Sequence, residues 1–101
     1  MTSDMPGGWT EWREADAEVK DLCKKVKPIV EKKTGKNFAV FEPLTYRTQV
    51  VEGTNYDIKV YVGNDTCALL RVWQKPYGEI AEVRCALVPL PSVEFYKKYT
   101  A

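Results

Sequence analysis

The chain has 101 residues, a length that suits one domain with its own hydrophobic core. Its 15 basic and 14 acidic residues are interspersed and leave a formal net charge of +1, so binding to nucleic acid through its phosphate backbone is not favoured. The sequence contains no histidine, which removes the commonest general base and every imidazole metal ligand. We therefore expect no metal, no cofactor and no enzymatic activity.

Cysteine spacing and the distribution of apolar residues indicate in which cellular compartment the protein acts. Cys23, Cys67 and Cys85 are widely spaced and form no CxxC pair, which indicates free thiols in a reducing compartment. Cys67 and Cys85 are expected on two strands joined by one turn. Register cannot be read from the sequence, so the sequence leaves open whether these two cysteines face each other. No apolar run approaches the ~20 residues that span a bilayer, and the first residues lack a secretory signal. A cytoplasmic protein without a membrane partner is expected.

The first two predicted elements are an arm and a helix. Residues 1–8 end in Pro6-Gly7-Gly8 and predict a flexible arm, with order beginning near Trp9 or Trp12. A long helix is predicted from an N-cap at Asp16 to a stop at Gly35, with a bend at Pro28. Apolar residues spaced by three or four predict one buried helix face, made by Val19, Leu22, Cys23, Val26, Ile29 and Val30.

Four strand-like segments follow, at about residues 38–51, 56–62, 66–74 and 79–88. In the second segment Tyr56, Ile58, Val60 and Val62 alternate with polar residues and share one face. Short turns between consecutive strands predict an antiparallel meander with one face against the helix, an α+β fold in a single domain of residues 1–101. Residues 88–101 contain two prolines and predict an edge or irregular tail whose aromatic residues pack onto the body.

Two turns carry unusual side chains. The first tip, Gln49-Val50-Val51-Glu52-Gly53, places two valines where the chain must reverse. Ordinary turns expose little apolar surface, so this tip is expected to be covered by a partner. Gly53 supplies either a positive φ or room for another backbone. The second tip, at residues 75–78, presents Pro76 and Tyr77. Because alternate turns of a meander lie at the same end of the sheet, both tips should project the same way.

The same residues resemble a known family. Gln49-Val50-Val51-Glu52-Gly53 is similar to the Gln-x-Val-x-Gly signature of the cystatin superfamily, and residues 48–60 resemble the stefins, its type 1 members. The segments at residues 6–8, 25–28 and 70–73 extend the resemblance from residue 6 to residue 78.

This resemblance implies a cystatin-like fold, an antiparallel sheet wrapped around one long helix. It also implies a reversible, tight-binding inhibitor of papain-like, cathepsin-like cysteine proteases that plugs the active-site cleft with the arm and the two tips. The implied protease-binding residues are Gly7, Gly8, Gln49, Val50, Val51, Glu52, Gly53, Pro76 and Tyr77.

Three departures from the stefin pattern keep other functions open. Glu52 stands where stefins usually have a small apolar residue, the second tip is one residue shorter with Lys75 before Pro76, and the resemblance ends near residue 78. The main alternative is a noncatalytic binding module on a cystatin-like scaffold with a target other than a protease. An enzyme using carboxylates, lysines or thiols and a nucleic-acid binder using Trp73 and Tyr61 have less support. A monomer is expected, although strand exchange at the first tip could give a domain-swapped dimer.

Overall fold

The computed structural model describes residues 8–90. In this part of the chain, helix α1 (Ala17–Thr34) packs against an antiparallel sheet of five strands that pair in chain order. The strands are β1 (Arg13–Glu14), β2 (Glu42–Val51), β3 (Gly53–Gly63), β4 (Thr66–Gln74) and β5 (Ile80–Pro89). The expected α+β fold is confirmed. The arm residues 1–7 and the aromatic residues of the tail lie outside the described residues.

Helix α1 begins and ends where the capping residues predict. The Asp16 side chain accepts a hydrogen bond from the Val19 amide at 2.9 Å, and Gly35 follows the last turn with a φ of 71°. Pro28 lies inside the helix, and the bend expected there stays a prediction. Five of the six residues predicted to be buried are so, but Ile29 is exposed. At 3.6 residues per turn, Ile29 falls at the border of the apolar stripe, where the sheet no longer covers it.

The core lies between α1 and one face of the sheet. The alternation predicted for β3 is confirmed, because Ile58 and Val60 are buried and Tyr56 and Val62 pack half-buried beside them. The other strands contribute alternate residues to the same layer: Tyr46, Ala68, Leu70, Val72 and Val83.

Strand ends differ from the expected ones by more than one residue in two places. β2 begins at Glu42, because the preceding residues form a connection in which the Phe38 amide donates to Glu31 Oε2 at 2.8 Å. β3 begins at Gly53, because Glu52 alone separates it from β2. β5 lies at the edge of the sheet and ends at Pro89, where a proline costs no hydrogen bond to a neighbouring strand.

Sheet register separates two cysteines that could have faced each other. Cys85 pairs with Leu70 on the helix side, whereas Cys67 pairs with Val88 and lies on the opposite face. All three cysteines are free. Burial raises the pKa of the Cys23 thiol to about 12, and it also raises those of Cys67 and Cys85. The thiols are therefore protonated at neutral pH and are weak nucleophiles.

Candidate functional site

The first tip is a tight turn with an apolar surface. Val51 pairs with Gly53 across the hairpin, so Glu52 alone makes the reversal. Val50, Val51 and Glu52 are all exposed. Below them the Gln49 side chain accepts a hydrogen bond from Asn55 Nδ2 at 2.9 Å. The tip thus presents two valines to solvent from a hydrogen-bonded base.

Gly53 is required by the chain's own backbone. Its φ is +89°, and a Cβ placed on it would overlap the carbonyl oxygen of Gln74 and lie 3.0 Å from Lys75 Cα. Both properties expected of this glycine, a positive φ and a close backbone approach, are present. The approaching backbone is the end of β4, so Gly53 lets the second hairpin lie directly against the first.

The second tip is a compact turn at the end of the β4–β5 hairpin. The Gly78 amide donates to the Lys75 carbonyl at 2.9 Å, and the Lys75 amide donates to the Glu79 carbonyl at 2.8 Å. Tyr77 is fully exposed, at 100 %. Among the described residues this phenol is open to solvent, and it offers both apolar area and a hydrogen-bonding group to a partner.

The two tips lie side by side, as strand parity predicts. Thr54 pairs with Gln74, and the indole N–H of Trp73 donates to the Glu52 carbonyl at 2.8 Å. The bond joins a side chain at the base of one hairpin to the turn of the other. Both tips therefore project from the same end of the sheet.

The chain that follows the arm reaches this same end. Trp9 forms a β-bridge with Gln49, and the Thr10 amide donates to the Thr48 carbonyl at 2.8 Å. Gly8 is half-buried just before this bridge, whereas Gly7 lies outside the described residues. Trp9 is the first described residue that pairs with the sheet. Gly8 and both tips consequently share one end of the molecule.

The sequence did not single out a polar cluster on the sheet face away from the helix. Arg47 and Arg71 flank Asp57 in register across three strands, and both arginines bind its carboxylate. Trp9 packs over the two guanidinium groups. The only signal in the sequence was that Asp57 has the opposite parity to the buried residues of β3. Pairing it with particular arginines requires the register.

The described residues contain neither a metal-binding cluster nor a membrane-spanning helix. Within residues 8–90, no group of three or more cysteine, aspartate and glutamate residues could hold a metal ion. Over the same residues, no helix has the length and apolar character needed to cross a bilayer.

Of the two aromatic residues considered for base stacking, Trp73 is half-buried, and its indole N–H donates a hydrogen bond to the Glu52 carbonyl. Tyr61 is also half-buried.

A helix packed on an antiparallel sheet, with two exposed apolar turns gathered at one end, is typical of a protein that binds a partner through those turns. Comparison with known proteins gives its family. The Cystatin domain family model matches residues 7–85. Porcine "Leukocyte cysteine proteinase inhibitor 1" (Sus scrofa) is 49% identical over 76 residues, which cover 74% of this chain and 74% of that protein.

Two other relatives are named as cystatins. "Cystatin-B" of Oplegnathus fasciatus is 47% identical over 73 residues, 72% of this chain and 73% of that protein. Human "Cystatin-A" (Homo sapiens) is 40% identical over 75 residues, 74% of this chain and 76% of that protein. The chain belongs to the cystatin family. Its members are protease inhibitors and not enzymes.

Proposed function

We propose that this cystatin is a reversible, tight-binding inhibitor of papain-like cysteine proteases. The arm and the two tips enter the active-site cleft together and block it. The porcine relative is named as a cysteine proteinase inhibitor, which supports this function. The observation that carries the proposal is the Trp73–Glu52 hydrogen bond, because it holds two exposed tips side by side.

The chemistry of the tips suits a cleft. Val50 and Val51 would displace water from an apolar surface, and Tyr77 would add contact area from the second tip. Both tips are held by hydrogen bonds before binding, so association costs less ordering of loops. The proposed contact residues are Gly7, Gly8, Gln49, Val50, Val51, Glu52, Gly53, Pro76 and Tyr77.

Titration of papain with the protein tests the proposal. We expect inhibition that reverses on dilution and saturates at one inhibitor per enzyme. A papain-like enzyme that stays fully active at micromolar inhibitor would contradict it. The alternative, a binding module with a target other than a protease, predicts that negative result, and the relatives' names do not favour it.

A matched pair of valine substitutions tests the site itself. Val51 is 39% exposed on the first tip, and Val40 is 42% exposed beside Gly63 near the opposite end of β3. Val51→Asp should weaken inhibition at least about tenfold, which corresponds to about 1.4 kcal/mol, because it places a charge in the contact. Val40→Asp should inhibit as the wild type does. Equal effects of the two changes would show that the first tip is not the contact.

Three further properties belong to this proposal. The protein acts as a monomer made of a single domain of residues 1–101. It acts in the cytoplasm, where its three free cysteines stay reduced. Its partners are cathepsin-like enzymes rather than nucleic acid or membranes, in keeping with the near-neutral charge of the chain.

A further inference from the structure

We propose that Trp9, stacked on the guanidinium groups of Arg47 and Arg71, fixes the point from which the arm departs and thereby sets the affinity of inhibition. We call Trp9, Arg47, Asp57 and Arg71 the arm clamp. This inference rests on the proposed function, because it concerns how the arm contributes to binding.

The base of the arm clamp is an ion-pair row across three strands. Arg47 on β2, Asp57 on β3 and Arg71 on β4 pair directly with one another in the sheet register. Arg71 donates to both Asp57 oxygens, at 2.6 Å and 2.8 Å, and Arg47 donates to Asp57 Oδ2 from Nε at 3.1 Å. Asp57 is only 9% exposed. A shielded carboxylate with a bidentate partner holds both guanidinium groups in fixed positions.

Trp9 uses both of these fixed cations. The Cζ atoms of Arg47 and Arg71 each lie 4.7 Å from the centroid of its ring. Arginine over an indole ring is a favourable cation–π geometry, and the attraction is stronger where water is partly excluded. Because Asp57 attracts both guanidinium groups, it offsets their mutual repulsion. Trp9 is therefore held by its side chain as well as by its bridge to Gln49.

The position of Trp9 in the chain gives this contact a consequence for binding. Trp9 directly follows Gly7 and Gly8, which have no side chain to anchor and permit many backbone directions. It also lies opposite Gln49, the first residue of the first tip. Holding Trp9 thus starts the arm beside the tip, and this reduces the entropy lost when the arm binds.

Trp12 provides a matched control for Trp9. Its ring also lies near cations, 5.0 Å from Arg47 Cζ and 4.4 Å from Lys59 Nζ. However, Trp12 follows two hydrogen bonds between Thr10 and Thr48: the Thr10 amide donates to the Thr48 carbonyl, and the Thr48 amide donates to the Thr10 hydroxyl. Those bonds still hold the chain next to β2 when the Trp12 ring is removed. A general loss of an indole from this face would affect both variants equally.

The experiment measures the inhibition constant against papain and the hydrogen exchange of the Thr10 amide. We expect Trp9→Ala to raise the inhibition constant at least tenfold and to speed exchange at Thr10. Trp9→Phe should recover most of both, because an aromatic face remains. Trp12→Ala should resemble the wild type. An unchanged inhibition constant for Trp9→Ala, or an equal loss of inhibition for Trp12→Ala, would show that the arm clamp does not set the affinity.

A double-mutant cycle in the full chain tests whether Trp9 acts through the arm. Met5 is the large apolar side chain directly before Pro6-Gly7-Gly8 in the arm. Met5→Ala should weaken inhibition in the wild-type background, have a smaller effect when combined with Trp9→Ala, and have an intermediate effect when combined with Trp9→Phe. Additive effects, or a Met5→Ala protein that inhibits like the wild type, would overturn the inference. Absence of inhibition by the wild type would instead overturn the proposed function. The Trp9→Phe variant keeps the test valid if Trp9→Ala fails to fold.

Discussion

At the scale of single residues, Asp16 does two tasks with one carboxylate. One oxygen caps α1 by accepting the Val19 amide at 2.9 Å, and the other accepts the Tyr46 hydroxyl of β2 at 3.0 Å. Asp16→Ala should lower the free energy of unfolding by about 1 kcal/mol, the usual value of an N-cap. Urea unfolding at pH 7 measures it. Asp21→Ala, which removes an exposed charge from the same helix, should change the free energy much less.

The stabilisation by Asp16 should depend on pH. The Val19 amide hydrogen bond, with a further contribution from Tyr46, holds the pKa of Asp16 below its ordinary value of 3.8. A group whose pKa is lowered by folding stabilises the fold above its unfolded pKa and loses that contribution as pH falls through its folded pKa. The stability difference between wild type and Asp16→Ala should therefore be full at neutral pH and shrink below pH 3.8. A difference independent of pH would show that the carboxylate charge is not involved.

Gly53 has a stricter requirement than a positive φ alone. Gly35→Ala should cost about 1–2 kcal/mol for placing a side chain at a positive φ, since a Cβ there meets nothing within 4 Å. Gly53→Ala should cost more, because its Cβ also meets the Gln74 carbonyl and must displace β4. Thermal unfolding of both variants compares these costs. Equal losses would mean that the two hairpins separate freely at the tip.

At the scale of elements, the two hairpins should bind as one unit. Trp73→Phe keeps an aromatic ring but removes the N–H that donates to the Glu52 carbonyl. Because this bond is partly exposed, we expect the inhibition constant to rise only about threefold, with faster hydrogen exchange at Gly53. Trp12→Phe is the control, since Trp12 lies outside both tips. Loss of inhibition without faster exchange would argue for direct contact between Trp73 and the enzyme.

The elements were largely predictable because local chemistry specifies them. Asp16 and Gly35 bound α1, and alternation in β3 identifies the face that meets the helix. Their exact edges depend on tertiary contacts. Ile29 fits the spacing of a buried residue but lies where the sheet does not reach, and β3 starts at Gly53 because the turn contains only Glu52. Neither result follows from local propensity.

At the scale of the whole molecule, part of the candidate site was predictable from the sequence and part was not. Counting strands was enough to predict that the two tips lie at one end of the sheet, because consecutive turns of an antiparallel meander lie at alternate ends. The arm clamp was not predictable, since it depends on which residue of β2 and β4 lies opposite Asp57. A shift of one position would send Arg47 and Arg71 to the helix side. The sequence thus indicates which turns form the candidate site, and the strand register determines which side chains pack beside those turns.

The single-residue turn at Glu52 gives the whole molecule a route to dimerise. β2 and β3 pair from Glu42 opposite Tyr61 to Val51 opposite Gly53, so straightening this turn would let β1, α1 and β2 of one copy pair with β3–β5 of another while keeping nearly every other contact. We expect partial heating and cooling to yield a dimer, measured by light scattering, that does not inhibit papain because the first tip has become continuous strand. Two glycines inserted after Glu52 relax the turn and should reduce the dimer. A dimer that inhibits as well as the monomer would show that exchange occurs elsewhere.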